Sequence, residues 1–483
     1  MEKLHRESGV LLHITSLPNK NGLGTFSSEC YKFIDFLHEG GFGCWQVLPF
    51  ADCGYGLSPY SAISSFAINP YFIDLTEFLS DEEIGRFGLS KENELYDQQV
   101  RFEKALDLVY KKHKHKFNIT DWEKENSYWL QNYVDYRVLS KIYSTDWTKF
   151  AKGLDIQKPS SMIEFRKVYA KDLDREKFIQ YIAEFQWKKI HKYANSKGVE
   201  IFGDIPMYVE FNSADVWNNP SDWQIENGKA KAVAGVPGDY FNKDGQLWGY
   251  PLYDYENMSK NKYDFWTKRF KRLSKLFDIV RIDHFVAFSR YWSIPSKSTS
   301  ALDGVWVKGA GEKVLPNLVS IPNLKIVAED LGIITEDVIN LRMKHGIAGL
   351  KILQFAFDSD EDNIYKPHNY EKNCVAYIGT HDNETFMGYL NSIDWCKLNR
   401  FKRYFGLPLE VQNDVVIDSA IENLYRSSAK LVILTMQDIL KLDNKARMNV
   451  PGVVTGNWLW QLENLDFGGV SGRYKYLSEI YAR

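Results

Sequence analysis

A chain of 483 residues is too long for one small core, although a barrel with insertions can exceed about 400 residues as a single domain. Charged residues make up 25% and the formal net charge is −3, which excludes both an acidic tail and the basic excess that nucleic acid attracts, leaving a neutral partner or substrate. Aromatic residues reach 15%, more than core filling demands, and suit a cleft that stacks flat apolar faces such as those of sugar rings.

In chain order, the apolar run from Val10, stopped by Pro18, reads as a first strand. A helix follows, N-capped by Ser27 or Ser28, with Phe33, Phe36 and Leu37 on one face and Gly40-Gly41 at its end. A second strand over 44–50 completes a β-α-β unit and points to a parallel sheet. Next comes a loop, 54–60, dense in Gly, Pro and Tyr. From about 81 to 172 the pattern is helical and polar, notably over 99–112 and 128–143, and reads as a helical subdomain inserted into the repeat. Its basic run at 111–116 reads as a solvated helix end.

The repeat resumes with a helix over 176–195 and a third strand over 199–206. A long irregular aromatic loop, 210–258, then interrupts it; so long a loop inside one domain is usually functional. A helix over 261–276 leads to strand four, 278–285. Strand five (325–332), a helix (335–345), strand six (349–357), strand seven (374–383), helical material to about 429 and strand eight (430–437) follow. Eight β-α units predict a (β/α)8 TIM barrel, with 1–483 as one elaborated catalytic domain.

In such a barrel the active site lies at the carboxyl ends of the strands. Asp283 ends strand four, Glu329 strand five and His381-Asp382 strand seven, and strand three adds Asp204. Any one of these could be a helix cap, as Asp330 or Glu384 could; several acids on one rim argue for chemistry. Arg281 shares a face with Asp283 and keeps it ionised, as a nucleophile requires. Glu329, in a drier setting near other acids, would serve as general acid and then base. Asp382 would steady positive charge on a sugar ring, and His381 would hydrogen-bond sugar hydroxyls. No nicotinamide, phosphate-loop or metal motif is present, so no cofactor is expected.

The stretches 11–18, Ser58-Pro-Tyr60, Gly203-Asp-Ile-Pro206, Gly245-Gln-Leu-Trp-Gly249, Arg281-Ile-Asp-His-Phe285, Val305-Trp-Val-Lys308, Ala328-Glu-Asp-Leu-Gly332, Leu353-Gln-Phe-Ala-Phe357, Gly379-Thr-His-Asp-Asn383 and Arg447-Met-Asn-Val-Pro-Gly452 together resemble the amylomaltases. These are 4-α-glucanotransferases, relatives of the α-amylases. The resemblance runs from about Gly9 to Leu462. It implies Asp283 as nucleophile, Glu329 as acid/base and Asp382 as transition-state stabiliser. It also implies that Ser58, Tyr60, Asp204, Trp248, Arg281 and His381 line donor and acceptor subsites, and that the partners are maltooligosaccharides and α-1,4-glucans, with glucose as acceptor. Two departures stand out: Val286-Ala287 where the family usually has Arg-Gly, and Tyr250 where it usually has Asn.

A plain α-glucan hydrolase would carry the same acids. The five cysteines, Cys30, Cys44, Cys53, Cys374 and Cys396, are odd in number and lack a C-x-x-C pair, which points to reduced thiols and a cytoplasmic setting. The amino terminus is polar where a signal peptide is apolar, and no apolar run approaches the roughly 18 residues of a membrane span. A monomer without nucleic-acid or membrane partners is expected.

Overall fold

Eight apolar runs pair side by side as parallel strands. The computed structural model describes the chain except residues 1–2, 55, 57, 93, 151–153, 155–158, 239–242, 333, 359–361 and 454. The strands are β1 (Glu7–Leu11), β2 (Cys44–Gln46), β3 (Glu200–Ile205), β4 (Ile279–Ile282), β5 (Lys325–Ala328), β6 (Gly349–Ile352), β7 (Cys374–Tyr377) and β8 (Leu431–Thr435). In space they run β5-β4-β3-β2-β1-β8-β7-β6. A parallel bridge between Val327 and Ala348, with the Ala328 N–H donating to the Ala348 carbonyl at 2.8 Å, joins the two ends and closes the (β/α)8 barrel.

Inner residues such as Leu11, Phe202, Ile279, Val327, Leu350, Val375 and Ile433 pack against one another inside the barrel. Outer ones such as Val10, Ile201, Val280, Ile326 and Val432 belong to the larger core under the helices. Burial on both faces is why these strands read as continuous apolar runs rather than alternating ones. Counting in twos along β4 from Ile279 brings Arg281 and then Asp283 to the inner side.

Several strands end sooner than the sequence suggests. The runs expected over 44–50, 278–285, 349–357 and 374–383 leave the ladder after Gln46, Ile282, Ile352 and Tyr377. The residues that follow, buried apolar ones such as Val47, Leu48, Leu353 and Ile378 among them, turn at the carboxyl-terminal rim instead of continuing the sheet.

Helix α1 (Ser28–Glu39) starts where expected: the Ser27 hydroxyl accepts the Glu29 N–H at 3.3 Å, and Phe33, Phe36 and Leu37 are buried. Between β2 and β3 the chain forms, among others, α2 (Leu95–His113), α3 (Leu130–Ile142) and α4 (Ala170–Ser196). A second apolar core holds Trp129, Tyr133, Leu139, Met162 and Phe165 together there. Its charges are paired internally: Glu176 accepts from Arg175 at 2.6 Å and from Lys141 at 2.7 Å. Burial alone would raise the Glu176 pKa, but Lys141, Arg137 and Arg175 together hold it well below the usual carboxylate range. Lys111, Lys112, Lys114 and Lys116 are exposed, as a solvated helix end should be.

The segment 210–258 is not irregular. Ala232–Val236 and Gln246–Pro251 are antiparallel strands, and with Arg290–Pro295 and Val305–Lys308 they build a four-stranded sheet that has Gln246–Pro251 at one edge. Gly235 and Gly249 hide these strands from propensity, and Gly249 sits at φ 83°, a conformation costly for other residues. Residues 239–242 of the expected loop lie outside the described residues. Among the described residues no helix is long and apolar enough to cross a membrane.

Candidate active site

β4 delivers Arg281 to the rim with only 4% of its surface exposed. Its Nη2 donates to Asp283 Oδ1 at 2.9 Å, to Asp204 Oδ2 at 2.8 Å and to the Tyr60 hydroxyl at 3.1 Å. Nε adds a second bond to Asp204 Oδ2 at 3.0 Å. One buried cation therefore locks two carboxylates and a phenol into a single arrangement, and charge-assisted bonds of this kind are the strong ones. Close packing supports it from behind, since a Cβ at Gly203, next to Asp204, would fall 2.4 Å from the Phe277 ring.

The Tyr60 hydroxyl has one proton, which goes to Asp204 Oδ2 at 2.7 Å. Its 2.8 Å contact with His381 Nε2 then requires the imidazole to donate, which assigns the Nε2–H form. Burial pushes His381 below its ordinary pKa against the pull of Asp382, favouring the neutral ring. That ring lies nearly parallel to Tyr60 at 5.5 Å and 13°, and Trp458 packs against both. Asp382 is the more open acid, with 42% of its side chain exposed. Asn449 Nδ2 donates to its Oδ1 at 2.6 Å, and Arg447 Nη2 donates to its backbone carbonyl at 2.8 Å.

Glu329 follows β5 directly. Its Oε2 accepts the His284 backbone N–H at 2.7 Å and its Oε1 accepts the Leu331 N–H at 3.0 Å. Burial nevertheless raises its pKa to about 7, against the Arg281 charge and these two donors. His284 adopts φ 48°, a left-handed conformation that costs a side-chain-bearing residue on the order of 1 kcal/mol. The bend ties Asp283 and Glu329 together through one peptide unit. Burial also pulls the His284 imidazole down to about 4, so it stands neutral against Trp248, the two rings nearly perpendicular with 4.8 Å between centres.

Asp283 is pushed up by burial and by Asp204, Glu329 and Asp382, with Arg281 opposing. With 31% of its side chain open to the cleft and an ion pair at 2.9 Å, we assign the charged form to Asp283 and the shared proton to Glu329. Two carboxyls of opposite protonation on neighbouring strand ends can attack a carbon and protonate its leaving group.

The site thus brings together Asp204, Arg281, Asp283, Glu329, His381, Asp382 and Tyr60. Ser58 plays a supporting part, its hydroxyl accepting the Tyr60 N–H at 3.4 Å within the turn. Trp248 stands over His284, its Nε1 donating to Gln246 at 3.0 Å. Asp330, a candidate helix cap, instead accepts from the Leu350 N–H at 2.7 Å and pairs with Arg342 at 3.0 Å, while Thr335 and Thr385 take the cap positions. Val286 and Ala287 are buried, so the departure at these positions leaves apolar packing there. Sequence reasoning missed Asn449, Arg447 and the His284 peptide. The first two lie in the stretch 447–452, past the last strand, where no strand-end rule reaches.

A cavity of about 940 Å³ opens next to this site, lined by His13, Tyr71, Phe72, Gln99 and Trp458, but none of the three acids lines it. Charge and geometry, not volume, locate the chemistry. Among the described residues no group of three or more His, Cys, Asp or Glu is placed to hold a metal ion.

Comparison with known proteins adds a family. A family profile described as 4-alpha-glucanotransferase matches residues 12–466. The chain is 39% identical over 474 residues to a 4-alpha-glucanotransferase of Streptococcus pneumoniae, covering 95% of this chain and 93% of that protein. It is 36% identical over 491 residues to one of Clostridium butyricum, covering 98% and 100%. Among solved structures it is similar to the amylomaltase from Streptococcus agalactiae in complex with acarbose, with TM-score 0.91, 31% identity and 99% of each chain covered.

Proposed function

The chain belongs to the 4-alpha-glucanotransferase family, and from that premise we propose that it moves segments of α-1,4-glucan between maltooligosaccharides by a retaining double displacement on Asp283. Arg281 occupies Asp283 Oδ1, which leaves Oδ2 to attack the anomeric carbon. As that bond forms, the glycosidic C–O bond breaks, its electron pair goes to the leaving oxygen, and Glu329 supplies the proton. The ionised Glu329 then takes the proton of an acceptor 4-hydroxyl. That oxygen attacks the anomeric carbon, and the ester bond to Asp283 breaks to restore the carboxylate.

Asp382 stabilises the oxocarbenium character of the transition state in each displacement, with Asn449 aiming its carboxylate. His381, whose one N–H is given to Tyr60, lines the donor subsite beside the Tyr60 and Asp204 scaffold. Trp248 offers an aromatic face on the Glu329 side, where the leaving group departs and the acceptor arrives. The observation that carries this reading is the single peptide that links Asp283 to Glu329, the His284 N–H donating to Glu329 Oε2 at 2.7 Å. Glucose and maltooligosaccharides are the acceptors, and the enzyme works as a monomer in the cytoplasm, where its five free cysteines stay reduced. We read 81–172 and 210–258 as insertions into one catalytic domain.

Maltotriose as sole substrate tests the reading. Transfer yields glucose plus a ladder of longer α-1,4-oligosaccharides while total reducing ends stay nearly flat, because each transfer breaks one bond and makes another. A steady rise in reducing ends without longer products would make this a hydrolase.

A further inference from the structure

The edge strand Gln246–Pro251 alternates cleanly: Trp248 and Tyr250 are half-buried against the core, whereas Leu247 and Gly249 are exposed. Trp248 meets the Glu329 side of the cleft through His284. Tyr250 reaches the other way. Its ring lies nearly parallel to Tyr208, 6.5 Å away at 20°, and its hydroxyl stands 3.4 Å from Ser61 Oγ. Ser61 follows Tyr60 and sits in the turn that Ser58 closes, with the Ser61 N–H donating to the Ser58 carbonyl at 3.1 Å. That turn is tied to the Arg281 and Asp283 cluster through the bonds of Tyr60 to Asp204 and His381.

The far end of the contact is itself anchored. The Glu210 N–H donates to the Ala62 carbonyl at 3.3 Å, and the Glu210 carboxyl, its pKa raised by burial, is drawn back down by Ser61 beside it. The charged and titratable groups that face Tyr250 from the packed elements are Glu210, Asp283 and Cys53. The phenol therefore spans from the edge strand of the four-stranded sheet to the turn bearing Tyr60, close enough to Asp283 to feel its charge. An asparagine, which the family resemblance implies at this position, has neither the length nor the apolar ring to make the same span.

We propose that Tyr250 determines which molecule accepts the glycosyl unit: its ring on Tyr208 and its hydroxyl on Ser61 latch the edge strand to the Tyr60 turn, closing the glycosyl–Asp283 ester to water while sugars enter over Trp248. The proposal rests on the double displacement given above. Water and a sugar hydroxyl compete for one ester, so the readout is a ratio inside each reaction: reducing ends gained per glucose released from maltotriose. Because it is a ratio, a variant with lower total turnover still reports.

The variants are Tyr250→Phe, which keeps the ring and removes the hydroxyl, Ser61→Ala, and the double substitution, each checked for native circular dichroism. Loss of one neutral hydrogen bond should raise the hydrolytic share about fivefold in each single variant. The double variant should rise no further, since both substitutions remove the same link. A wild-type ladder with an unchanged ratio in both single variants overturns the latch alone, as does an additive effect in the double variant. Absence of any ladder from the wild-type enzyme overturns the transferase reading, and the latch with it.

Discussion

Replacing Glu329 by glutamine should make stability less dependent on pH while abolishing turnover. The folded pKa of Glu329, about 7, lies above its ordinary 4.5, so its contribution to stability is fully present below pH 4.5 and is lost as pH rises through 7. Each unit of that gap is worth about 1.4 kcal/mol, and between pH 5 and pH 8 the wild-type protein loses about 2.5 kcal/mol. Glutamine carries no such titration. Its amide does face one of the two backbone donors, His284 or Leu331, with an NH₂ group, a cost of about 1–2 kcal/mol that is the same at both pH values. The comparison must therefore be a difference of differences. With an unfolding entropy of about 2 cal/mol/K per residue over 483 residues, about 1 kcal/mol shifts the midpoint by about 1 °C. The gap in thermal midpoint, variant minus wild type, should grow by about 2–3 °C between pH 5 and pH 8. A gap that stays constant, or shrinks, would refute the claim that burial holds a proton on this carboxyl.

Asp283→Asn and Asp382→Asn should each lower kcat by about 10²-fold or more with the fold retained, since a group aimed at transition-state charge is worth roughly 3 kcal/mol or more. A correctly folded variant with near-normal turnover would remove that residue from the mechanism. Asn449→Ala should reduce kcat about tenfold with little change in KM, because it frees Asp382 without touching the scaffold around Arg281. An equal loss in Asn449→Asp would fit repulsion at the same oxygen; full activity in both variants would show that Asp382 needs no partner.

Much of this site was legible because barrel strands carry their information locally. Ile279, Val280 and Ile282 form one apolar run, and its charged end marks the rim without any knowledge of neighbours. Asp283 and Glu329 stand directly after such runs, and Asp382 follows its strand end at Tyr377 by a short turn, so their places on the rim could be read locally. What escaped depends on distance along the chain. Val233 pairs with Ile294, and Trp292 with Trp306, so the four-stranded sheet is held by partners that no local window contains. Strand ends were overestimated because Asp283 and His381 look like strand residues until their backbones turn. Asn449 reaches Asp382 from a segment beyond β8, and an asparagine in a loop has no periodicity to announce it.

The donor that binds Glu329 Oε2 is a peptide N–H, and this has a consequence for how the enzyme can change over time. Point mutation can exchange the side chain at position 284, yet every residue except proline brings the same N–H to the same place. Glycine would even relieve the left-handed φ. The coupling between nucleophile and acid is thus stored in the path of the chain rather than in residue identity. Drift can alter what Trp248 packs against while leaving the protonation chemistry beneath it untouched.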